Sequence, residues 1–437
     1  MLVSRSTAAC GVTLFAACLS TPPAVEIDAS PPIDAPPPCA GGFEGATFDR
    51  TRELPTGHIG LAQGEPQGYV TSRVVPAPPG GRFRTLSWET VRPSLKALPD
   101  DRGRETMYRE GNADLAGSQL LFHFDDPPAW DDTSGNDLSA TCTSAPANQC
   151  PSVVPGLFRD ALDFDTDEDM GTDADNDRIR IASIAALEPP QVTVEVWVRP
   201  SRVPTVGSRM MIVRKGSANP IAPPFTSYSI EYNNNGTFRC YANVDGAGVF
   251  VDGSRVSATL QWHHVACTYD GAALRLFVDG YADLEHQVEG SLRYDLTGDD
   301  DVFLGDYTGS QFLDGQVDEL AVHDRALAPA VLLERARRGA LRLAWQVRVC
   351  DDAACQGEDD AWRGPTGTTA SFYTESCHAG LGPPTLSLSD LDCDGDGTED
   401  DGADLAVPAG AFFQVRALLD SHRAGDTPEL VAFELCE

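Results

Sequence analysis

The chain has 437 residues, of which 41% are hydrophobic and 22% charged, so it holds enough apolar material for more than one folded core. Acidic residues outnumber basic residues by 66 to 32, and the formal net charge is -34. This charge argues against nucleic acid as a partner, because nucleic-acid binding needs a basic surface. With 40 glycines, 32 prolines and only 5 methionines, the chain is rich in turns, and this composition predicts an all-β fold.

The first residues have the pattern of an export signal. Met1–Arg5 carries one positive charge, and Ser6–Ala17 is an apolar run too short to cross a bilayer. We therefore predict a signal peptide over residues 1–17. Phe15-Ala16-Ala17-Cys18 resembles a bacterial lipobox, with phenylalanine in place of the usual leucine, and this resemblance implies lipidation of Cys18.

Lipidation predicts an outer-membrane or cell-surface lipoprotein that touches the membrane only through its N-terminal lipid. The alternative is ordinary cleavage, which leaves a secreted protein, and the mass of the mature N-terminus distinguishes the two. Residues 18–42 follow as a proline-rich tether without hydrophobic periodicity.

The 12 cysteines are typical of a protein from an oxidising compartment. Removing Cys10 with the signal and assigning Cys18 to lipid leaves ten of the 12 for disulfides. Local spacing indicates three loop disulfides, Cys142–Cys150, Cys350–Cys355 and Cys377–Cys393. Cys240 and Cys267 fall in two predicted strands and are placed to bridge neighbours. Cys39 and Cys436 remain, one at each end of the folded region.

Regular short strands begin in the middle of the chain. Gln191–Val198 alternates valine with other residues, which is the period of a strand with one buried face. Asn233-Asn234-Asn235-Gly236 predicts a hairpin turn between two strands. Pro329–Arg338 predicts a helix that begins at proline, with Gly339 as its C-terminal cap. These features define an antiparallel β domain over residues 117–340.

The two flanks of this domain are each too small to form a core. Residues 43–95 and 341–437 predict only a few strands each, and two strands alone are not stable. Together they have the strand complement of one β-sandwich. We therefore predict that the middle domain is inserted in a second, smaller β-sandwich, with residues 96–116 as a connector. The alternative is that separate small β domains flank the middle domain.

The middle region resembles a laminin-G-like, concanavalin A-like jelly roll of the kind found in bacterial surface and exported proteins. Eight motifs support this resemblance by their order and spacing: LLFHFD (120–125), DTSGN (132–136), ALDFD (161–165), VEVWVRP (194–200), WHHVACTYD (262–270), LRLFVDG (274–280), FLG (303–305) and LDGQVDELAVHDRAL (313–327). It implies two packed antiparallel sheets, and it implies a structural calcium ion that joins Asp132 and Asn136 to Asp318.

The strongest local motif for a cofactor is the acidic stretch from Asp390 to Asp404. Oxygen donors on alternate residues followed by a turn glycine, Gly397, have the spacing of calcium loops. The predicted calcium ligands of this loop are Asp392, Asp394, Asp396, Thr398 and Asp400. An overlapping register runs from Asp390 to Asp401, and the alternative to both is a solvated acidic loop. A second cluster, Asp163–Asp177, lacks the turn glycine, so a weak calcium site and a solvated hairpin tip stay equally open.

No catalytic motif stands out in this sequence. Laminarinases share the jelly-roll fold but carry Glu-x-Asp-x-x-Glu on a strand, and no such motif lies in the folded region. For His263 and His264 a buried structural histidine and a surface neighbour are expected, not a catalytic base. We predict a non-catalytic exported surface protein that binds a glycan or a cell-surface protein through a calcium-stabilised jelly roll. The alternatives are a polysaccharide-active enzyme of this fold and a structural envelope spacer.

Overall fold

The structure is a computed structural model that describes residues 39–79, 81–125, 130–142, 150–165, 177–217, 226–294, 300–305, 311–356, 361–377, 381–382, 384–388, 409–423 and 425–437. The chain divides into two compact units, Met1–Pro37 and Pro38–Glu437, and the first lies outside the described residues. Several predicted features also lie outside the described residues: the signal peptide, Cys18, the tether up to residue 38, Cys393 and the whole Asp390–Asp404 loop. Residues 166–176 of the second acidic cluster lie outside the described residues as well.

The prediction of an all-β fold is confirmed. The strands of the first flank are β1 (Cys39–Gly41), β2 (Thr47–Asp49), β3 (Thr51–Glu53), β4 (Ile59–Leu61), β5 (Gln67–Thr71), β6 (Val75–Pro76) and β7 (Thr85–Thr90). Those of the middle domain are β8 (Ser118–Phe122), β9 (Trp130–Asp131), β10 (Ser139–Thr141), β11 (Ser152–Pro155), β12 (Asp160–Phe164), β13 (Ile179–Ile181), β14 (Val192–Pro200), β15 (Arg209–Ser217), β16 (Thr226–Asn233), β17 (Phe238–Val244), β18 (Ala247–Asp252), β19 (His263–Tyr269), β20 (Ala273–Val278), β21 (Tyr281–Gln287), β22 (Asp300–Leu304) and β23 (Gly315–His323).

Helix α1 (Pro329–Ala340) ends the middle domain, and the second flank contains β24 (Leu341–Cys350), β25 (Tyr373–Thr374), β26 (Thr385–Ser387), β27 (Phe412–Ser421) and β28 (Leu430–Cys436). Two short 3-10 helices span Ala185–Leu187 and Glu375–Cys377. Within the described residues, no helix has the length and apolar character needed to cross a membrane.

The middle domain is a sandwich of two sheets. Sheet I has the order β11-β12-β23-β14-β19-β20-β21, with β8 beside β23, and sheet II has the order β18-β17-β16-β15-β22-β13-β10-β9. Their inner faces share one hydrophobic core, to which β14 contributes Val194, Val196 and Val198. Because strand side chains alternate between faces, Glu195 and Trp197 lie on the outer face of sheet I.

Strands from both flanks build the second sandwich. Sheet III has the order β26-β7-β28-β4-β3, with β1 beside β28, and sheet IV has the order β2-β5-β27-β24-β25, with β6 beside β27. A single core joins residues from both sides of the middle domain, including Trp88 from β7 and Trp345 from β24, whose ring centroids are 5.7 Å apart. The second sandwich is therefore discontinuous in sequence, and the jelly roll is inserted between its two parts.

The structure differs from the sequence-based expectation at the end of α1. The helix continues to Ala340, and the chain becomes extended at Leu341, so Gly339 lies inside the last turn. A side chain at Gly339 would approach Leu157 and Trp197 to within 2.6 Å. The glycine is thus required for close packing of α1 on sheet I and is not a helix cap.

Four disulfides lie within the described residues. Cys142–Cys150 and Cys350–Cys355 close short loops, Cys240–Cys267 joins sheet II to sheet I through the core, and Cys39–Cys436 joins β1 to β28. The last bond fastens the first described strand to the last, so it closes the discontinuous sandwich at its ends.

The position of the Cys39–Cys436 disulfide predicts a large effect on stability. The bond spans a sequence separation of 397 residues, and removal of a native disulfide typically costs about 2–5 kcal/mol. We expect the double variant Cys39→Ser/Cys436→Ser to unfold at lower urea concentration, with Trp88 and Trp345 reporting by fluorescence. The control Cys142→Ser/Cys150→Ser opens a separation of only 8 residues and should lose less, because loop-closure entropy grows with loop length. A larger loss in the control would contradict this account.

Candidate functional site

The outer face of sheet II carries a continuous row of charged, polar and aromatic side chains. Strand pairing places each of six residues directly opposite the next, in the order Arg180, Phe303, Arg214, Ser229, Tyr241 and Phe250. The Arg214 guanidinium lies 4.7 Å from the centre of the Phe303 ring. Phe250 at the end of the row is 49% exposed. Arg214, Ser229 and Phe303 are buried, so the row is open to solvent at its two ends, at Arg180 and at Tyr241 with Phe250.

Two polar side chains on this face are completely buried and have no hydrogen-bond partner. Ser227 precedes Ser229 by two residues and Asn243 follows Tyr241 by two, so antiparallel pairing brings them to the same level of the sheet. The Ser227 Oγ and both polar atoms of the Asn243 amide are unpartnered. An unpaired buried polar group lowers the free energy of unfolding by about 1–3 kcal/mol, so these atoms destabilise the fold.

Tyr241 lies beside Asn243 on this face. Gly248 is directly opposite Asn243, and a side chain at Gly248 would come within 2.7 Å of the Tyr241 hydroxyl. The tyrosine ring therefore occupies the space that the glycine leaves open. Ser227, Tyr241 and Asn243 together offer a hydroxyl, an aromatic ring and an amide within one small area.

The carboxylates of the same face are held in ion pairs. Glu231 lies 3.0 Å from Arg209 and 3.9 Å from Arg239, and Asp252 forms an ion pair with Arg239. The hydrogen bond from Arg239 holds the pKa of Asp252 below its usual value. These carboxylates fix the arginines in place, and they are poorly suited to donate protons.

The structure gives Asp132 and Asn136 structural partners. Both Asp132 carboxylate oxygens accept hydrogen bonds, from the backbone N–H groups of Leu121 and Ser134 at 2.9 Å and from the Ser134 hydroxyl at 2.8 Å. The Asn136 side-chain amide donates to the Gln119 carbonyl at 2.8 Å. These contacts hold the loop closed, and calcium binding at Asp132 and Asn136 stays a prediction.

Asp318 differs from these two residues because one of its oxygens has no partner. The carboxylate is fully buried, and Oδ2 accepts the backbone N–H groups of Leu157 and Phe158 at 2.9 and 3.2 Å, whereas Oδ1 accepts none. Burial, reinforced by the charges of Glu319 and Asp125, raises the pKa of Asp318 well above its usual value. Burial also raises the pKa of Asp125 to about 6. Burial thus disfavours the ionised form of both Asp318 and Asp125, and a cation bound beside them would favour that form.

In the part of the chain that the structure describes, one group of three potential metal ligands of the histidine, cysteine and acid types lies close together, namely Cys39, Glu434 and Cys436. The two cysteines form a disulfide with each other, so this group cannot act as a metal site. The predicted ligands Asp392, Asp394, Asp396, Thr398 and Asp400 lie outside the described residues.

A buried layer of charged side chains covers the outer face of sheet I. Glu195 accepts hydrogen bonds from His323 at 2.9 Å and from His264 at 3.2 Å, and it forms an ion pair with Arg335 of α1. Burial opposes ionisation, but Arg335 and the two histidines hold the pKa of Glu195 well below its usual value. Both His263 and His264 are buried, whereas the sequence pattern predicts one of them at the surface.

The connector extends this layer to the second sandwich. Arg338 of α1 donates to Glu105 at 2.6 Å and to the Ala97 carbonyl at 2.7 Å. Lys96 donates to the Tyr108 hydroxyl at 3.1 Å. Glu375, from the second sandwich, accepts the backbone N–H of Ser94 at 2.7 Å and the Tyr108 hydroxyl at 3.3 Å. The connector therefore links α1, the jelly roll and the second sandwich through buried polar contacts.

Comparison with protein families supports the jelly roll. Residues 173–331 match the laminin-G family model described as the concanavalin A-like lectin/glucanases superfamily. This range covers most of sheet II and the second half of sheet I, together with the start of α1. The chain thus contains a laminin-G-like, concanavalin A-like domain. No curated protein matches the sequence.

Several solved structures are similar to this chain. Domain 4 of AbnA, an extracellular arabinanase from Geobacillus stearothermophilus, in complex with arabinotriose, is 18% identical with a TM-score of 0.37, over 50% of this chain and 98% of that chain. The CBM40 of Ruminococcus gnavus IT-sialidase bound to α2,3-sialyllactose is 17% identical with a TM-score of 0.31, over 35% and 85%. The receptor binding domain of botulinum neurotoxin D is 12% identical with a TM-score of 0.38, over 54% and 55%.

The buried layer predicts a pH effect centred on Glu375. Burial raises the pKa of Glu375 from 4.5 to about 7. Between these pH values the folded state binds a proton that the unfolded state releases, so the free energy of unfolding falls as the pH rises through this window. Glu375→Gln should remove this fall and be more stable than the parent at pH 8, by at most about 3 kcal/mol, and equal to it near pH 4.

Urea unfolding of both proteins at a series of pH values measures the difference. Glu89→Gln is the control, because Glu89 lies at the surface in an ion pair with Arg109 and its loss should change the free energy of unfolding little. If Glu375→Gln were less stable than the parent at pH 8, the carboxylate would be stabilising and this account would be wrong.

Proposed function

We propose that this protein binds carbohydrate through the outer face of sheet II. The observation that carries the proposal is the open end of the row on this face, where Tyr241 is half-buried and Phe250 is 49% exposed. Sugar hydroxyls both donate and accept hydrogen bonds, so they suit the polar side chains beside these rings, such as Arg239, which lies 4.5 Å from the centre of the Phe250 ring. The apolar face of a sugar ring packs on an aromatic side chain such as Tyr241.

We further propose that the protein binds its ligand without cleaving it. Glycoside hydrolysis needs a carboxyl group with a raised pKa as the general acid, beside a second carboxylate. Among the described residues of this face, Glu231, Asp252 and Asp301 are each paired with an arginine. Arginine pairing favours the ionised carboxylate, which supports a binding role over a catalytic role.

A structural calcium ion is part of the proposal. The unpartnered, buried Oδ1 of Asp318 fits a hard cation, and Asp125 supplies a second acid nearby. When bound, calcium would neutralise the repulsion between these acids and hold β23 to the chain that follows β8. The loop from Asp390 to Asp404 is proposed as a second calcium site on its sequence alone.

We also propose export and anchoring. Four disulfides in the described residues favour an oxidising compartment. The apolar run before Cys18 supports a signal peptide, and the lipobox-like sequence supports a lipid on Cys18 of a bacterial surface protein. A protein held at the surface in this way is suited to capture extracellular glycans.

The glycan proposal predicts that Tyr241→Ala and Phe250→Ala weaken binding. Loss of either ring removes one of two neighbouring contacts, and we expect at least a tenfold increase in Kd, which corresponds to about 1.4 kcal/mol. A glycan array with the full chain identifies the ligand, and titration calorimetry with that ligand compares the variants.

Tyr281→Ala is the matched control for this test. Tyr281 is a 43% exposed tyrosine on β21 of sheet I, and its loss should leave Kd unchanged. Absence of any glycan ligand for the folded parent, or an equal effect in the control, would rule the proposal out.

The calcium proposal predicts that millimolar Ca²⁺ raises the melting temperature and that Asp318→Asn reduces the rise. Binding to the folded state at 100 times Kd adds about 2.7 kcal/mol of stability, which corresponds to several degrees for a domain of this size. Asp394→Asn/Asp396→Asn tests the acidic loop in the same assay, and Asp131→Asn, an exposed acid, is the control. A full calcium response in both test variants would exclude both sites.

A further inference from the structure

A lysine lies on the core-facing side of sheet II. Lys215 on β15 is directly opposite Val302 of β22 on one side and Tyr228 of β16 on the other, and both of these neighbours belong to the jelly-roll core. The Lys215 side chain is completely buried. Lysine is also rare in this chain, because only two of the 32 basic residues are lysines, Lys96 and Lys215. An ammonium group at this position needs a compensating arrangement, because burial of a charge costs free energy.

The Lys215 ammonium group lies between two carboxyl groups. Its Nζ is 3.5 Å from Oδ2 of Asp300 and 3.6 Å from Oε1 of Glu188. It also donates hydrogen bonds to the Ser183 hydroxyl and to the backbone carbonyl of Asp300, both at 2.6 Å. The Ser183 hydroxyl in turn donates to Oε1 of Glu188 at 3.4 Å. Hydrogen bonds therefore connect the amine to Glu188 through Ser183.

The carboxyl group of Asp300 is held close to the amine but is poorly stabilised as an anion. Among the described residues, neither of its two buried oxygens has a hydrogen-bond partner. Burial raises the pKa of Asp300 to about 6, although the charge of Lys215 opposes this rise. Near this pH the carboxyl group is protonated for part of the time. A protonated carboxyl group reacts with a nucleophile more readily than a carboxylate does, because its oxygen can leave as water.

Two tyrosines enclose the site and hold Glu188 in place. The rings of Tyr228 and Tyr294 meet edge to face with their centres 6.4 Å apart, and the Tyr294 ring centre lies 5.8 Å from Lys215 Nζ. Their hydroxyls donate to the backbone carbonyls on either side of Glu188, at 3.4 Å for Leu187 and 2.8 Å for Pro189. The side chain of Glu188 is 37% exposed, so it connects the buried amine to solvent.

We propose that Lys215 and Asp300 react with each other to form an isopeptide bond, a covalent amide between their two side chains. Glu188 accepts a proton from the ammonium group, directly or through Ser183, and leaves a neutral amine. The lone pair of Nζ then forms a bond to Cγ of Asp300, and one C–O bond of the carboxyl group breaks. Of the three protons on the ammonium group, one stays on the amide nitrogen and two leave with that oxygen as water. One ammonium ion and one carboxylate thus give one amide and one water, and no other reactant is needed.

The position of the two groups favours this reaction. Holding an amine and a carboxyl group side by side replaces an encounter between two molecules by a step within one, which raises the effective concentration of each group. The product is a neutral amide, so the cost of keeping an ion pair buried is removed. The bond would join β15 to β22 across 85 positions of sequence. It would close a covalent loop around β16 to β21, so these strands could not be pulled out of the domain one after another.

Mass spectrometry of the purified full chain tests for the bond. After reduction of the disulfides and digestion with trypsin, the bond predicts one product in which residues 215–239 are linked to residues 294–325. Its mass should equal that of the two peptides less one water. Trypsin does not cleave after an acylated lysine, because the positive charge is lost, so Lys215 stays on its peptide. Fragmentation of the product should locate the link at Lys215 and Asp300.

Three variants assign the roles of the residues. Lys215→Arg should lose the linked product completely, because a guanidinium group stays protonated and is not a nucleophile. Glu188→Gln keeps both reacting groups but cannot accept a proton. Its linked fraction in freshly purified protein should fall at least tenfold, since general acid–base catalysis contributes about 10²–10⁴-fold in rate. Lys96→Arg is the matched control, because Lys96 is also buried, 3.6 Å from the carboxylate of Glu105, and its loss should leave the product unchanged.

Thermal melting by circular dichroism confirms that each variant is folded, and the digest of the parent chain decides whether the bond exists even if a variant is not. Recovery of residues 294–325 from the parent at full mass, with no linked product, would overturn the proposal. Loss of one water without a link between the two peptides, which succinimide formation at an Asp-Gly pair produces, would overturn it as well. Full linkage in Glu188→Gln would contradict the assignment of Glu188 as the proton acceptor.

Discussion

The buried ion pair between Glu195 and Arg335 is the contact on which the arrangement of the two sandwiches depends. Glu195 projects from β14, whose other face is fixed in the jelly-roll core by Val194 and Val196, so its carboxylate has one position. Arg335 binds that carboxylate from α1, the segment that leads the chain back into β24. One turn later Arg338 binds Glu105 of the connector, the segment that leads the chain into the jelly roll. Helix α1 thereby holds in place both segments by which the chain enters and leaves the inserted domain.

A charged interface fixes orientation in a way that an apolar interface does not. Burying an ion costs several kcal/mol unless a partner and further hydrogen bonds compensate, so a shifted helix would leave Glu195 or Glu105 without a partner. In the same buried group Lys96 and Arg338 both contact Glu105, and Glu375 lies beside them with a raised pKa. An apolar interface of the same size tolerates sliding, since hydrophobic contact has no direction. The layer therefore favours one arrangement of the two sandwiches at a cost in desolvation.

The sequence predicted the features that depend on local patterns. Alternating valines in β14 and the Asn-Gly turn before Gly236 define strands and a hairpin by chemistry within a few residues, and both lie in the fold as expected. The connector was predicted as residues 96–116, but its buried contacts and the row from Arg180 to Phe250 were not, because they depend on which residues face each other across segments far apart in sequence. The role of Gly339 was predicted wrongly for the same reason. Glycine is needed there because Trp197, 142 positions earlier, packs against it, and not because the helix ends there. Residues close together in the sequence thus predict the strands and turns. The candidate sites, in contrast, depend on which distant residues the strand register brings together.

Strand register also explains the charge distribution on the outer face of sheet II. Arg239 lies directly between Glu231 and Asp252, so its charge is compensated within the protein. Compensated arginines favour neutral sugars, because a ligand carboxylate would have to displace an internal acid.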